Sequence, residues 1–320
     1  MPKPVATGFP ACNLRALFFL LAALLTPSLA SRECAAAPGE VSEFGDFALF
    51  VPADVSTVRG ILLMLGGPDT RAFVSDGSFG APIPELEISL HLLGEELRTL
   101  AADHGLALLG TSRQHMAELP DQPRTDELIF EALCEAARIS GRQELSDAPI
   151  FVYGISGGTP QASGFTARNP ERVGALLLKV PAPPERLNSA VALAVPTYMI
   201  LAEHEVMGDN KEVIAVFEAN RGAGGLWAVA IEPGVPHHSL THDHRALTVN
   251  WLGAIVELRL GASALAPLRR VPESAGWLGH PEFGVSDWAG YVGDRKAANW
   301  FPSRATAEEW WKFVSGKNTN

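Results

Sequence analysis

Pro149-Ile150-Phe151-Val152-Tyr153-Gly154-Ile155-Ser156-Gly157-Gly158 is the stretch that decides the fold. Ile150–Tyr153 is an apolar, β-prone run of the kind that forms a strand buried on both faces. It runs straight into the pattern G-x-S-x-G, and a helix-compatible segment from Thr159 to Arg168 follows. A strand–turn–helix of this kind holds its serine in a strained turn with Oγ projecting from the sheet edge. The glycines at 154 and 158 fit that geometry, because a side chain at either would clash with neighbouring backbone. Ser156 is therefore the candidate nucleophile. The helix behind it aims free N–H groups and a positive dipole end at the reacting oxygen, which makes the Gly157 amide the first candidate oxyanion donor.

Working outward, short apolar runs alternate with helical patterns from about residue 45 onward, which predicts a mainly parallel sheet covered by helices. The predicted strands are Phe47–Val51, Gly60–Leu65, Leu106–Leu109, Ile150–Tyr153, Val173–Leu178, Thr197–Leu201 and Trp227–Ile231. Between them, Leu86, Leu90, Leu93, Leu97 and Leu100 recur at spacings of three and four and predict a helix over Glu85–His104, stopped by Gly105. A second helix is expected from near Thr125, with Asp126 and Glu127 in its first turn, and a third from about Asp243 to Leu260. The strand Gly60–Leu65 ends on Gly66-Gly67-Pro68, where backbone can approach a substrate closely. Gly67 is the expected second oxyanion donor, since Pro68 has no N–H.

The chain has 320 residues, 47% hydrophobic and 19% charged, enough to bury a large core. Its net charge of −11 is opposite in sign to what nucleic acid or an anionic membrane surface selects, so neither is an expected partner. Lys3 and Arg15 precede the apolar run Ala16–Leu25, and small residues stand at Ser28 and Ala30. The pattern predicts a signal peptide cut after about Ala30, a secreted or periplasmic protein, and no stable membrane anchor, since ten apolar residues are too few to span a bilayer. Cleavage removes two cations and no acid, which lowers the net charge by a further two. Residues 31–320 are then expected as one domain. Cys34 and Cys134 would remain in an oxidising compartment, either as a disulfide or with Cys134 as a buried thiol beside Phe130. Trp277, Trp288, Trp300, Trp310 and Trp311 crowd the C-terminal extension of about 262–320. They predict a tail that packs its indoles on the helices, with an aromatic substrate platform as the alternative.

The strand-Gly-Gly loop, the G-x-S-x-G turn and the passage Arg168-Asn169-Pro170-Glu171-Arg172-Val173 together resemble the α/β-hydrolase superfamily over about residues 45–260. Among its branches the chain looks most like secreted esterases of the feruloyl-esterase and polyhydroxybutyrate-depolymerase type. The resemblance implies a Ser, an acid and a His in that chain order. The loop Gly234-Val235-Pro236-His237 resembles the family's G-x-x-H and assigns the base to His237, with His238 in reserve. Aligning Ala202 with the glycine that commonly ends the late strand assigns the acid to Glu205. The family more often has Asp there, so Asp209 and Glu203 stay open. The implied activity is a serine hydrolase acting on a small-molecule or polymeric ester, with no cofactor and no metal. The segment from about Pro181 to Val195 is too short for a cap domain, which predicts an open cleft.

Three rival readings stand beside this one. His237-His238-Ser239-Leu240-Thr241-His242-Asp243-His244 carries the ligand types of a zinc site, although His242 and His244 read more simply as the solvated start of the next helix. The same serine chemistry could serve a peptidase or amidase. The fold could also serve a non-catalytic binding protein.

Overall fold

In a computed structural model, the residues described are 37–66, 69–77, 84–112, 123–184, 189–261 and 266–315. The expected signal peptide, Cys34 and Gly67 lie outside them. The described residues belong to one compact unit, Ala36–Asn320.

The seven predicted strands form, and most run further than their apolar cores. They are β2 (Phe47–Pro52), β3 (Gly60–Gly66), β4 (Leu106–Thr111), β5 (Ile150–Ile155), β6 (Val173–Lys179), β7 (Thr197–His204) and β8 (Trp227–Pro236). Ahead of them stands β1 (Gly39–Phe44), whose GEVSEF sequence is largely exposed at the sheet edge and carries no apolar run to betray it. The sheet order is β1-β2-β4-β3-β5-β6-β7-β8. Strand β2 is antiparallel to both neighbours, and β4-β3-β5-β6-β7-β8 pair in parallel.

Alternation along the central strands sorts side chains into two cores. Leu62, Met64, Tyr153 and Leu177 face a layer built from α1 (Thr70–Asp76), α2 (Pro84–His104) and the long C-terminal helix of the sheet domain, His242–Arg259. Ile61, Leu63, Leu65, Val152 and Leu178 face a layer that includes α3 (Pro123–Ser140) and α4 (Thr159–Arg168). The connection from β6 to β7 contains, among its described residues, the one-turn α5 (Ala190–Leu193), and β7 to β8 is bridged by α6 (Asn210–Gly222). The helix His242–Arg259 is then α7, and it begins at the Thr241 cap. Leu90, Leu93, Leu97 and Leu100 of α2 are all buried, as their spacing predicts.

Cys134 departs from the buried-thiol expectation: it is exposed. The apolar stripe of α3 runs through Ile129, Leu133, Ala136 and Ala137, and Cys134 falls off it, among Glu131, Glu135 and Arg138.

The tail adds a second sheet, β10-β9-β11, from β9 (Trp277–His280), β10 (Gly284–Asp287) and β11 (Asn299–Phe301), followed by α8 (Arg304–Ser315). Trp300 and Trp310 are buried in the first core. They pack beside the edge strand β8 as well as the helices. Trp310 Nε1 donates to Val229 O at 2.7 Å, and Val229 N donates to Asn299 Oδ1 at 2.7 Å. Both backbone groups of Val229 are thus satisfied by tail side chains at the end of the sheet, where they would otherwise invite another strand. Among the described residues, no helix is long and apolar enough to cross a membrane.

Candidate active site

The chain leaves β3 to build β4 on one side, then returns to place β5 on the other, so the strand order reverses between β3 and β5. In open α/β sheets the crevice at the carboxyl ends of such strands is where ligands bind. Ser156 stands there, directly after β5, whose last residue Ile155 pairs with Gly66 at the end of β3.

Ser156 has φ +49°, a left-handed conformation that costs a non-glycine residue strain. Close packing holds it. A Cβ on Gly158 would lie 2.2 Å from Leu65 O and 2.6 Å from Gly66 N, so only glycine lets the turn sit against β3. At Gly154 the nearest obstacles are instead the Ala162 Cβ at 2.7 Å and the Leu178 side chain at 3.0 Å. The hydroxyl of Thr159 donates to Ser156 O at 2.7 Å and accepts from Ala182 N at 3.2 Å, tying the turn to the loop after β6. That loop begins at Val180, which has φ +44°. Two strained residues therefore sit side by side at the ends of adjacent strands, since Ile155 pairs with Lys179.

Ser156 Oγ lies 2.8 Å from His237 Nε2, and His237 Nδ1 lies 2.6 Å from Glu205 Oε2. The three residues come from the ends of β5, β7 and β8, whose C-terminal edges are brought level by parallel pairing. The His237 and Glu205 side chains are only 6% and 7% exposed, so their bond is shielded from competing water. Burial alone would push the Glu205 carboxyl up. The amide of Met207, at 2.7 Å from Oε1, together with His237 and the amide of Val206, overcomes this and holds it below the usual carboxylate range. An ionised Glu205 can only accept, so His237 carries its proton on Nδ1 and presents a lone pair on Nε2 to the Ser156 hydroxyl.

The other candidates for the acid have different partners. Glu203 accepts from Gly234 N at 2.6 Å, and Asp209 caps α6 through Lys211 N at 2.8 Å. His238 packs edge-on against the His237 ring at 4.8 Å and is exposed. Gly157 is exposed at the start of the helical run, where amides have no intrahelical partner.

The histidine-rich stretch disperses. His237 turns to Ser156, and His242 lies near Arg245. His244 departs from the solvated-helix expectation, being wholly buried with Nδ1 3.1 Å from Glu232 Oε2. Among the described residues, no three His, Cys, Asp or Glu side chains are grouped to hold a metal ion.

Sequence reasoning missed Thr159 and the buried pair Lys179 and Glu232, whose Nζ and Oε2 are 3.1 Å apart. The signal for the pair was present: one charge closes each of two otherwise apolar strand cores, Val173–Leu178 and Trp227–Ile231.

No family profile matches the chain, and no curated protein matches it. Solved structures similar to it include a cold-adapted esterase from an Arctic intertidal metagenomic library, with 15% identity and a TM-score of 0.45 over 68% of this chain and 92% of that one. Others are a thermostable esterase, at 14% and 0.44 over 63% and 58%, and a predicted CIB-like hydrolase from Thermoplasma acidophilum, at 13% and 0.42 over 68% and 98%. The strand order with β2 reversed, the strained serine turn at the switch point, and the succession of Ser156, Glu205 and His237 after β5, β7 and β8 identify the architecture on their own: the chain has the α/β-hydrolase fold.

Proposed function

We propose that the protein is a serine hydrolase that cleaves carboxylic esters through an acyl-enzyme. The observation that carries this reading is the continuous chain from Ser156 Oγ through His237 to Glu205, at 2.8 and 2.6 Å, on a serine with φ +49°. His237 Nε2 takes the proton as Ser156 Oγ attacks the ester carbonyl carbon, and the carbonyl oxygen becomes an oxyanion. The Gly157 amide donates to that oxyanion, and Gly67 is assigned as the second donor. As the tetrahedral species collapses, His237 returns the proton to the leaving alcohol. Water, deprotonated by the same nitrogen, then attacks the acyl-enzyme, and Ser156 recovers its proton as the acid leaves. Glu205 holds the imidazole orientation and stabilises the imidazolium without taking the proton itself.

The absence of a residue run long enough for a cap between β6 and β7 supports an open cleft suited to small or polymeric esters, and the N-terminal pattern supports export. A panel of nitrophenyl esters and aminoacyl anilides, with wild type and Ser156→Ala, tests the reading. Wild type should turn over the esters in preference to the anilides. Ser156→Ala should lose at least about 10⁴-fold in kcat, the scale on which removing an activated serine acts. Full activity in the variant overturns the mechanism, preference for anilides points to a peptidase, and no turnover with no fluorophosphonate labelling points to a binding protein.

A further inference from the structure

A buried polar cluster lies within the apolar layer next to the serine turn. Lys179 ends β6 and Glu232 lies in β8, and their side chains are 3% and 2% exposed. Lys179 Nζ and His244 Nδ1 each donate to Glu232 Oε2 at 3.1 Å, and Thr241 Oγ1 donates to Oε1 at 2.6 Å. Burial would raise the Glu232 carboxyl, but the bond from His244, the charge of Lys179 and the bond from Thr241 hold it at about 2. Burial, and then Lys179, lower His244 to about 4. Burial lowers Lys179 too, opposed by the charge and bond of Glu232. At neutral pH Glu232 is ionised and paired with Lys179 at 3.1 Å, and an uncharged imidazole donates to it.

Desolvating an ion pair offsets most of what its attraction contributes, and an apolar pair of similar size would stabilise the fold as well or better. The placement of the cluster suggests another use. Glu232 and Thr241 bracket residues 233–240, the end of β8 and the loop that carries His237, so their 2.6 Å bond closes that segment at its base. Lys179 pairs in register with Ile155, the residue before Ser156, so its bond to Glu232 fastens the closed loop to the strand beside the serine turn. Glu203 adds a tether from β7 at Gly234.

We propose that Glu232 is a positioning residue for His237, stapling the two ends of its loop through Thr241 and fixing the loop's height against Ser156 through Lys179. The inference rests on the reading of Ser156 and His237 as nucleophile and base. Small displacements of a reacting pair are costly: about 1 Å can remove about 100-fold in rate.

The test replaces the ion pair by an apolar one in the double variant Lys179→Met, Glu232→Leu, which leaves no unpaired buried charge and keeps the Thr241 cap on His244 N, while taking from His244 Nδ1 its acceptor. Thermal melting, kcat and KM on a short nitrophenyl ester, and the downfield proton resonance of His237 Nδ1–H are read together. That resonance is assigned by its loss in His237→Gln. The double variant should melt cooperatively, keep KM within about twofold, lose at least about tenfold in kcat, and lose the Nδ1–H signal to exchange. Thr241→Val, which cuts one arm together with the cap on His244 N and leaves the ion pair in place, should lower kcat by about fivefold, and Thr241→Ser, which keeps both bonds, should restore it to within about twofold.

Wild-type kcat and an unchanged resonance in the double variant overturn the proposal. Should that variant not fold, the same result in Thr241→Val does so. If wild type hydrolyses no ester and takes no fluorophosphonate, it is the esterase reading that fails. The resonance then decides the inference alone: its loss in the folded double variant supports the staple, and its persistence overturns it.

Discussion

Ser156 illustrates how a single backbone angle organises a site. Its φ of +49° turns Oγ out of the sheet toward His237, and the bare Gly158, pressed against Leu65 and Gly66, keeps the turn from relaxing. Glu205 is the departure from the more common aspartate, and its longer side chain still closes a 2.6 Å bond to His237 Nδ1 because Met207 N fixes the other carboxylate oxygen. Glu205→Gln keeps the shape and removes the charge that selects the Nδ1–H tautomer, so kcat should fall by about 10³ to 10⁴-fold with the fold intact, measured on the same ester panel. Retention of wild-type kcat in Glu205→Gln would show that the carboxylate is dispensable. At this scale Ser156 was legible as a candidate from its G-x-S-x-G turn, and His237 from the resemblance of Gly234-Val235-Pro236-His237 to the family's G-x-x-H. Glu203, Glu205 and Asp209 could not be separated there, since all three stand within seven residues and only packing decides which carboxylate meets the imidazole.

Among the elements, β8 and α7 carry the physics that the sequence concealed. The strand predicted over Trp227–Ile231 continues to Pro236. Its outer edge is covered at Val229 by Asn299 and Trp310, from a tail whose strands are only three or four residues long and so left no periodic signal. Trp310→Phe keeps an aromatic ring but leaves Val229 O without its donor. We expect a loss of about 1–3 kcal/mol, read by denaturant unfolding, with kcat unchanged. An unaltered midpoint would mean that the tail does not secure this edge. His244, which reads as a surface residue because it follows His242 and Asp243, is drawn inside by Glu232. Folded His244 takes its proton near pH 4, whereas an unfolded imidazole takes it near 6.5. Between these values the unfolded chain binds more protons, so stability falls as pH is lowered from about 6.5 to 4. The contribution of Glu232, whose folded carboxyl is depressed to about 2, is present above its unfolded range and is lost only at still lower pH. His244→Asn should flatten the decline of melting temperature between pH 6.5 and 4, and an equally steep decline in the variant would contradict the assignment.

Taken whole, the molecule places its chemistry by topology. Reversal of strand order between β3 and β5 opens a crevice, and parallel pairing through β6, β7 and β8 delivers Ser156, Glu205 and His237 to the same edge although they lie far apart in sequence. The central strands were legible because a sheet covered on both faces requires nearly continuous apolar runs. β1 was not, because an edge strand such as GEVSEF needs none. The buried Lys179 and Glu232 lay hidden for a related reason: a charge at a strand end reads as the start of a loop unless its partner, here 53 residues away, is known. In the proposed mechanism Ser156 is a nucleophile activated by His237. Reaction with a fluorophosphonate, followed by mass mapping of the adduct in wild type and His237→Ala, separates this assignment from any other. A single phosphonyl group on Ser156 in the wild type, with labelling slowed at least about 10³-fold in the variant, is the predicted result; an adduct at another residue, or equal labelling of the two proteins, would contradict it.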